Sequence, residues 1–317
     1  MQVYTLDQIK VIENYIPKLV DLLEAGYVKY SAGETNVPPV GLLHFDNPEG
    51  NTYIKYGHVK GDESFVIKVF NGFPENAKAG LPTSDGMNLV FDSKTGMTKA
   101  ILLDEGWLTR IRTAAAGLLV AKYLAPKHVK KIGICGTGTI ATANMSMLKY
   151  YTDCKEVLVY DIWQEGIDRF IKHFTELGYN VKQADVATIC KECNLIVSAT
   201  TTHTPHFYAD MIQPGTHITG IGADADGKNE IDKSVFAKAD ICVCDSRSQC
   251  FVDGDTSFAV KTGAVSKDKI IELGEVISQN KGRKNDEQIT LCDLTGIAVQ
   301  DIIVAELACD ILTGKIK

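Results

Sequence analysis

The chain has 317 residues, 45% hydrophobic and 23% charged, the composition of a folded globular protein and not of a disordered one. Its net charge of −7 comes with no long run of one sign, which excludes a nucleic-acid or anionic-membrane footprint and points to a small-molecule partner. No stretch approaches the roughly 18 apolar residues of a spanning helix. The N-terminus MQVYTLDQIK lacks a basic region followed by an apolar core, so a soluble cytoplasmic protein is expected.

Residues 6 to 30 carry Ile9, Ile12, Ile16, Val20 and Leu23 at helical spacing, with Pro17 placed to kink or split the helix. After Pro38-Pro39 come strand-like runs, "TYIKYGHV", "SFVIKVFNGF", "MNLVFD" and "MTKAILLD". "SKTG" joins the last two, with Gly96 placed for a positive φ in a hairpin loop, so an antiparallel sheet is predicted. "WLTRIRTAAAGLLVAKYL", residues 107 to 124, reads as a helix ended by Pro126.

From Lys131 short apolar strands alternate with helices: "KIGICG", "EVLVYD", "NVKQA", "NLIVSAT", "HITGIGA" and "DICVCDS", with helical segments such as 140 to 151 and 164 to 177. Parallel strands need a helical crossover to return the chain, so this half is predicted to be a doubly wound parallel sheet. The tail "GIAVQDIIVAELACDIL" is helical and is expected to pack back on the first domain. The nine cysteines, an odd number scattered through apolar segments, fit reduced thiols better than a disulfide framework. The Cys190-x-x-Cys193 pair lacks a second pair at metal-ligand spacing and reads as buried cysteine.

"GICGTGTIA" ends an apolar strand in Gly136, follows with Gly138 where a backbone can approach a pyrophosphate, and places Ala141 where helix and strand pack closely. The free N–H groups of the following helix complete a phosphate site. Asp161, at the end of the next strand, stands where a carboxylate accepts ribose hydroxyls and repels a 2′-phosphate, which favours NAD over NADP. Thr200 and Thr201 fall at the carboxyl edge of the sheet, where they either reach a cofactor or cap a loop.

Lys55, Lys68 and Arg112 are cations in apolar segments. Each fits either a structural ion pair or a grip on a substrate carboxylate, for which the Arg fork is suited. In "GIGADADGKNEID", residues 220 to 232, Asp224, Asp226, Lys228 and Glu230 crowd a sheet-edge loop that is either a solvated acidic turn or an acid/base site. His203 and His206, separated by Pro205, read as loop histidines.

Together, "GLPTSDGMNLVFDSKTGMTKAILLDEGWLTRIRTAAA", "GICGTGTIA", "IGADADGKNEID" and "GIAVQD" resemble the ornithine cyclodeaminase/mu-crystallin family, in its order and spacing over most of the chain. The resemblance implies an α/β protein in which a Rossmann dinucleotide-binding domain, residues 121–292, interrupts a substrate-binding and dimerisation domain, residues 1–120 with 293–317. By the same carry-over Lys68 and Arg112 hold the substrate carboxylate, Asp224 is the acid/base group with Lys228 beside it, and Lys68 takes part in the chemistry. Gly136, Thr137, Gly138, Thr139, Ile140, Asp161, Thr200, Thr201 and Thr83 would contact NAD. A homodimer acting on a small amino or imino acid is expected.

Two departures bear on substrate and cofactor. Many members have Pro-x-Arg where this chain reads Pro38-Pro39-Val40, and Lys55 is the replacement available for the missing arginine. The usual Gln of the G-x-G-x-Q-A loop is Ile140, which removes a polar contact and leaves the backbone cradle. The family's outcomes share hydride exchange at the substrate α-carbon. The expectation is an NAD(H)-linked imine reductase or amino-acid dehydrogenase, with ornithine cyclodeamination as the alternative. A carrier without turnover fits less well, because Asp224 and Asp161 are both present.

Overall fold

After a short strand β1 (Gln2–Thr5), Pro17 splits the first helical stretch. A turn α1 (Leu6–Ile9) and a 3-10 segment (Lys10–Tyr15) precede α2 (Ile16–Ser31), with the proline in the first turn of α2, where its missing N–H costs nothing. Ile9, Ile12, Ile16, Val20 and Leu23 are all buried, as their spacing requires. Then come β2 (Thr35–Asn36), β3 (Gly41–Asp46), β4 (Glu49–Val59), β5 (Ser64–Gly72), β6 (Ser84–Asp92), β7 (Thr98–Leu103) and the helix α3 (Trp107–Leu124). Gly96 turns the β6–β7 hairpin at φ +70°.

The structure is a computed structural model and describes residues 1–316. They form two units, Met1–Ala116 with the segment from Ile297 on, and Gly117–Gly296. In the first unit the strands run in the order β1-β7-β6-β5-β4-β2, with β3 also paired to β4. β1 lies parallel to β7 and the other pairings are antiparallel. Period-two alternation sends Val66, Lys68, Asn88, Val90, Ala100 and Leu102 to a buried face. There α11 (Ala298–Leu312), the C-terminal helix, packs against β4, β5, β6 and α2, as the sequence predicts for the tail. The opposite face carries a stacked Phe65–Phe91 pair and the exposed Met87 and Leu103, so an apolar sheet surface is left open within this chain.

The second unit alternates as the sequence foretells. Its elements are β8 (Ile132–Cys135), α4 (Thr139–Met147), β9 (Glu156–Tyr160), α5 (Gln164–Glu176), β10 (Asn180–Gln183), α6 (Val186–Glu192), β11 (Leu195–Ser198) and β12 (His217–Gly220). They continue with α7 (Lys233–Lys238), β13 (Ile241–Cys244), α8 (Arg247–Cys250), α9 (Asp255–Lys261), β14 (Ile270–Glu272), α10 (Leu273–Ser278) and β15 (Thr290–Asp293). All pair in parallel, in the order β10-β9-β8-β11-β12-β15-β13-β14. The strands β8, β11, β12, β13 and β15 are buried on both sides, and Ile196, Ile218, Phe207, Phe236 and Leu291 centre the core. The chain reverses direction between β8 and β11, the switch point at which sheets of this kind open a crevice.

Candidate active site

Lys68 sits on the buried face of β5 and is 3% exposed. An ammonium there needs a counter-charge, and Asp301 on α11 supplies it: Lys68 Nζ donates to Asp301 Oδ1 at 2.9 Å, and Arg112 Nε donates to the same oxygen at 3.0 Å. Arg112 also donates through Nη1 to Gln300 Oε1, and Gln300 donates to the Tyr27 hydroxyl. Lys55 is the cross-strand partner of Lys68. Three cations thus surround one buried carboxylate, whose Oδ2 accepts no hydrogen bond from the described residues. Desolvation, outweighing Asp301 and reinforced by Arg112 and Lys55, brings the Lys68 pKa down to about 7. Asp104 is a second buried acid, pushed by burial up to about 6. It accepts from Asn88 Nδ2 at 3.1 Å and from Leu108 N at 2.9 Å, in the first turn of α3.

At the switch point of the other unit, Gly136 turns with φ +99°, and a Cβ there would stand 2.6 Å from the Ala199 carbonyl oxygen. Gly138 is the N-cap of α4, and a Cβ on it would meet nothing within 4 Å. The space beside Gly138 at the helix N-terminus is therefore open, and free backbone N–H groups at such an end suit a phosphate. Asp161 is held at its rim: Thr137 N and Oγ1 donate to Oδ2 at 2.7 and 2.6 Å, and Trp163 N donates to Oδ1 at 3.1 Å.

The loops after β11 and β12 meet on Glu230, which is fully buried. Its Oε1 accepts from Ser198 Oγ (2.5 Å), Thr200 N (2.7 Å) and Thr200 Oγ1 (2.7 Å), and its Oε2 from Gly222 N (2.6 Å). Burial raises its pKa while these donors oppose the rise. Asp224 stands farther along the β12 loop, with its side chain 48% exposed and its Oδ1 receiving Lys228 Nζ at 2.6 Å. His206, kept neutral by burial with a pKa lowered to about 4, lies with Nε2 3.2 Å from Ser198 Oγ.

The structure thus brings Lys55, Lys68 and Arg112 into one cluster, and Asp224 and Lys228 into one pair. It gathers Gly136, Thr137, Gly138, Thr139 and Ile140 at the start of α4, with Asp161 bonded to Thr137. The hydroxyl of Thr200 is turned to Glu230, Thr201 is exposed, and Thr83 stands exposed ahead of β6 in the first unit. Cys190 and Cys193 are buried free thiols, and no metal-binding cluster occurs among the described residues. Asp301, Asp104 and Gln300 were not singled out by residue patterns, and Glu230 was read only as one acid of the loop after β12. Asp301 carried a signal, the first acid of the helical tail, which is apolar around the pair it forms with Gln300. Glu230 carried none beyond its place in an acidic loop.

One unit with a parallel sheet, a glycine turn at its switch point and a carboxylate after the second strand, and one with a buried cation cluster on an antiparallel sheet, define a protein of the Rossmann-type α/β class. The chain belongs to the ornithine cyclodeaminase/mu-crystallin family, whose model matches residues 2–315. It is similar to an uncharacterized cyclodeaminase of Sinorhizobium fredii, 33% identical over 276 residues, 86% of this chain and 83% of the relative. Among solved structures it resembles the Thermococcus litoralis Delta(1)-pyrroline-2-carboxylate reductase in complex with NADH and L-proline, at TM-score 0.92 and 27% identity, with 99% of this chain and 98% of that one covered. An archaeal alanine dehydrogenase dimer with bound NAD matches at TM-score 0.90 and 29% identity over 99% and 96% of the two chains. No described helix is long and apolar enough to cross a membrane.

Proposed function

We propose that this protein is an NAD(H)-dependent enzyme exchanging hydride at the α-carbon of a small L-amino acid or its cyclic or linear imine, in the manner of a ketimine reductase or amino-acid dehydrogenase. The observation that carries the reading is the gathering of Lys55, Lys68 and Arg112 about Asp301. Lys68 and Arg112 both donate to one buried oxygen of Asp301, so two donors suited to a carboxylate already converge on one point. In this reading the unit with residues 1–116 and α11 binds substrate, and residues 117–296 bind the dinucleotide. The reductase with NADH and L-proline and the alanine dehydrogenase with NAD support the assignment.

The bound nicotinamide would supply or accept the hydride. Lys68 and Arg112 hold the substrate carboxylate, with Lys55 in the place of the family's arginine, and so fix the α-carbon. Asp224, oriented by Lys228, gives or takes the proton at nitrogen. The loop from Gly136 to Ile140 would cradle the pyrophosphate, Asp161 Oδ1 would accept from ribose, and Thr200, Thr201 and Thr83 would complete the cofactor contacts. The open apolar sheet face of the first unit would form a homodimer, as the alanine dehydrogenase dimer supports. Nine free cysteines fit a reducing, cytoplasmic setting.

Cyclodeamination of ornithine is the second reading, favoured by the cyclodeaminase relative. The two separate in one experiment. The protein is incubated with ornithine and catalytic NAD+, and separately with NADH and cyclic imino acids or pyruvate plus ammonia. Stoichiometric loss of NADH with an imine supports the reductase; proline and ammonia with no net change in NADH overturn it.

Two further outcomes follow from the geometry. Asp161→Ala removes the charged acceptor for ribose and weakens NAD+ binding by roughly 10- to 100-fold in titration calorimetry; an unchanged affinity contradicts the ribose role. Lys68, with a pKa of about 7, is cationic below that pH and neutral above it. Affinity for a carboxylate substrate should therefore fall as pH rises through 7, with KM increasing about tenfold between roughly pH 6 and 8. Lys68→Arg, charged throughout, should flatten the profile. A profile equally steep in both proteins removes Lys68 from carboxylate binding.

A further inference from the structure

We infer that Glu230 is a positioning residue that clamps the loop bearing Thr200 and Thr201 to the loop bearing Asp224, so that the two cofactor-facing and proton-handling segments hold one arrangement. The inference rests on the proposed function for what the loops do, but the clamp itself is geometric. Each carboxylate oxygen faces a backbone N–H from a different loop, Thr200 N on Oε1 and Gly222 N on Oε2, and both groups lose water on burial. No cation pairs with Glu230 among the described residues, so the two loops are its partners.

The surrounding contacts show that the loops are built around this side chain. A Cβ on Gly222 would fall 1.9 Å from the Thr200 carbonyl oxygen and 2.7 Å from Glu230 Oε2, so only glycine lets the segments approach this closely. The Glu230 backbone N–H donates to Asp255 Oδ1 at 2.6 Å, and Ile231 N donates to the same oxygen at 3.0 Å, which anchors the carboxylate's own backbone to the start of α9. Asn229 N donates to the Thr202 carbonyl at 2.9 Å and His206 N to the Glu230 carbonyl at 3.0 Å, so residues 202–206 and 229–230 zip together behind the clamp. His203 Nδ1 lies 2.9 Å from the Gly227 carbonyl, at the far end of the Asp224 turn. Glu230 thus fixes the Gly222 end of that turn and His203 the other, which holds the backbone that carries Asp224, while Lys228 orients its carboxylate.

Glu230→Gln tests this with little change of shape. An amide keeps one acceptor oxygen and turns the other into a donor, so one backbone N–H must face an N–H. The oxygen should stay with the three donors from Ser198 and Thr200, leaving Gly222 without an acceptor. Expected are faster hydrogen exchange at Gly222 but not at Thr200 in the cofactor-free protein, kcat lower by roughly 10- to 100-fold, and an NAD+ Kd within about threefold of wild type. Glu230→Asp keeps the charge but loses reach, and should also have a low kcat. Unchanged exchange at Gly222 with unchanged kcat overturns the clamp. So does faster exchange spread evenly over residues 117–296 with a matching fall in Tm, which marks support of the fold alone. If the wild type transfers hydride to no amino or imino acid, the proposed function fails while the exchange measurement still decides the clamp.

Discussion

Asp224→Asn should lower kcat by about 10³-fold or more while the Kd for NAD+ stays within about threefold of wild type. The amide is isosteric and retains an oxygen for Lys228 Nζ, which now lies 2.6 Å from Asp224 Oδ1. What it loses is the ability to hold a proton at nitrogen-transfer geometry and release it. The fold should be indifferent to the change. The Asp224 side chain is 48% exposed, and exposed pairs of this kind are worth about 0–1 kcal/mol, so Tm should not move measurably. Cofactor affinity should be spared because the glycine turn between β8 and α4 and Asp161, just after β9, are separate residues. The measurement pairs steady-state kinetics of imine reduction with calorimetric NAD+ titration. A kcat near wild type would remove Asp224 from the chemistry. The neighbouring Asp226, exposed in the same loop, would then be the group to replace.

The parallel half of the fold was legible because buried parallel strands read as short apolar runs and each crossover announces itself as a helix. The strands β8 to β13 fall within the runs predicted for them. β15 was not legible. It inserts between β12 and β13 although it follows both in the chain, and no local pattern in "TLCD" records a pairing made across more than 40 residues. β1 and β3 escaped for another reason: both lie toward the sheet's margin, and β3 is mostly exposed, so neither carries the apolar alternation that marks a strand. The cations of the site could be read as cations in need of a partner. Their partner could not be named, because Asp301 lies 233 residues from Lys68 and meets it only when α11 returns to β5. Glu230 was obscured by its company. Beside Asp224, Asp226 and Lys228 it looked like one more solvated charge, whereas the chain turns inward at Asn229 and buries it completely.

Asp301→Ala should cost about 3–5 kcal/mol of unfolding free energy, the largest effect expected of any single truncation at the site, because it leaves Lys68 and Arg112 buried with no carboxylate between them. The loss is electrostatic before it is steric. Lys68 and Asp301 are 3% and 2% exposed, so water does little to replace the missing charge. Arg112 cannot shed its proton, and it lowers the Lys68 pKa even in the intact protein, whereas Asp301 raises it. Without Asp301 the ammonium should therefore deprotonate well below its present value of about 7, and the cluster would bind a carboxylate substrate through Arg112 and Lys55 alone. Adding Lys68→Met to Asp301→Ala should return part of the stability, since one buried cation is then gone; a cycle of both single variants and the double variant in urea measures the coupling. Acetate offers an independent reading. If the space left by Asp301 is an anion site, the Asp301→Ala protein should gain more Tm with acetate concentration than the wild type does. A cost below about 1 kcal/mol, with no acetate response and no coupling to Lys68, would mean that the three cations are held apart by other groups and that Asp301 does not organise the carboxylate site.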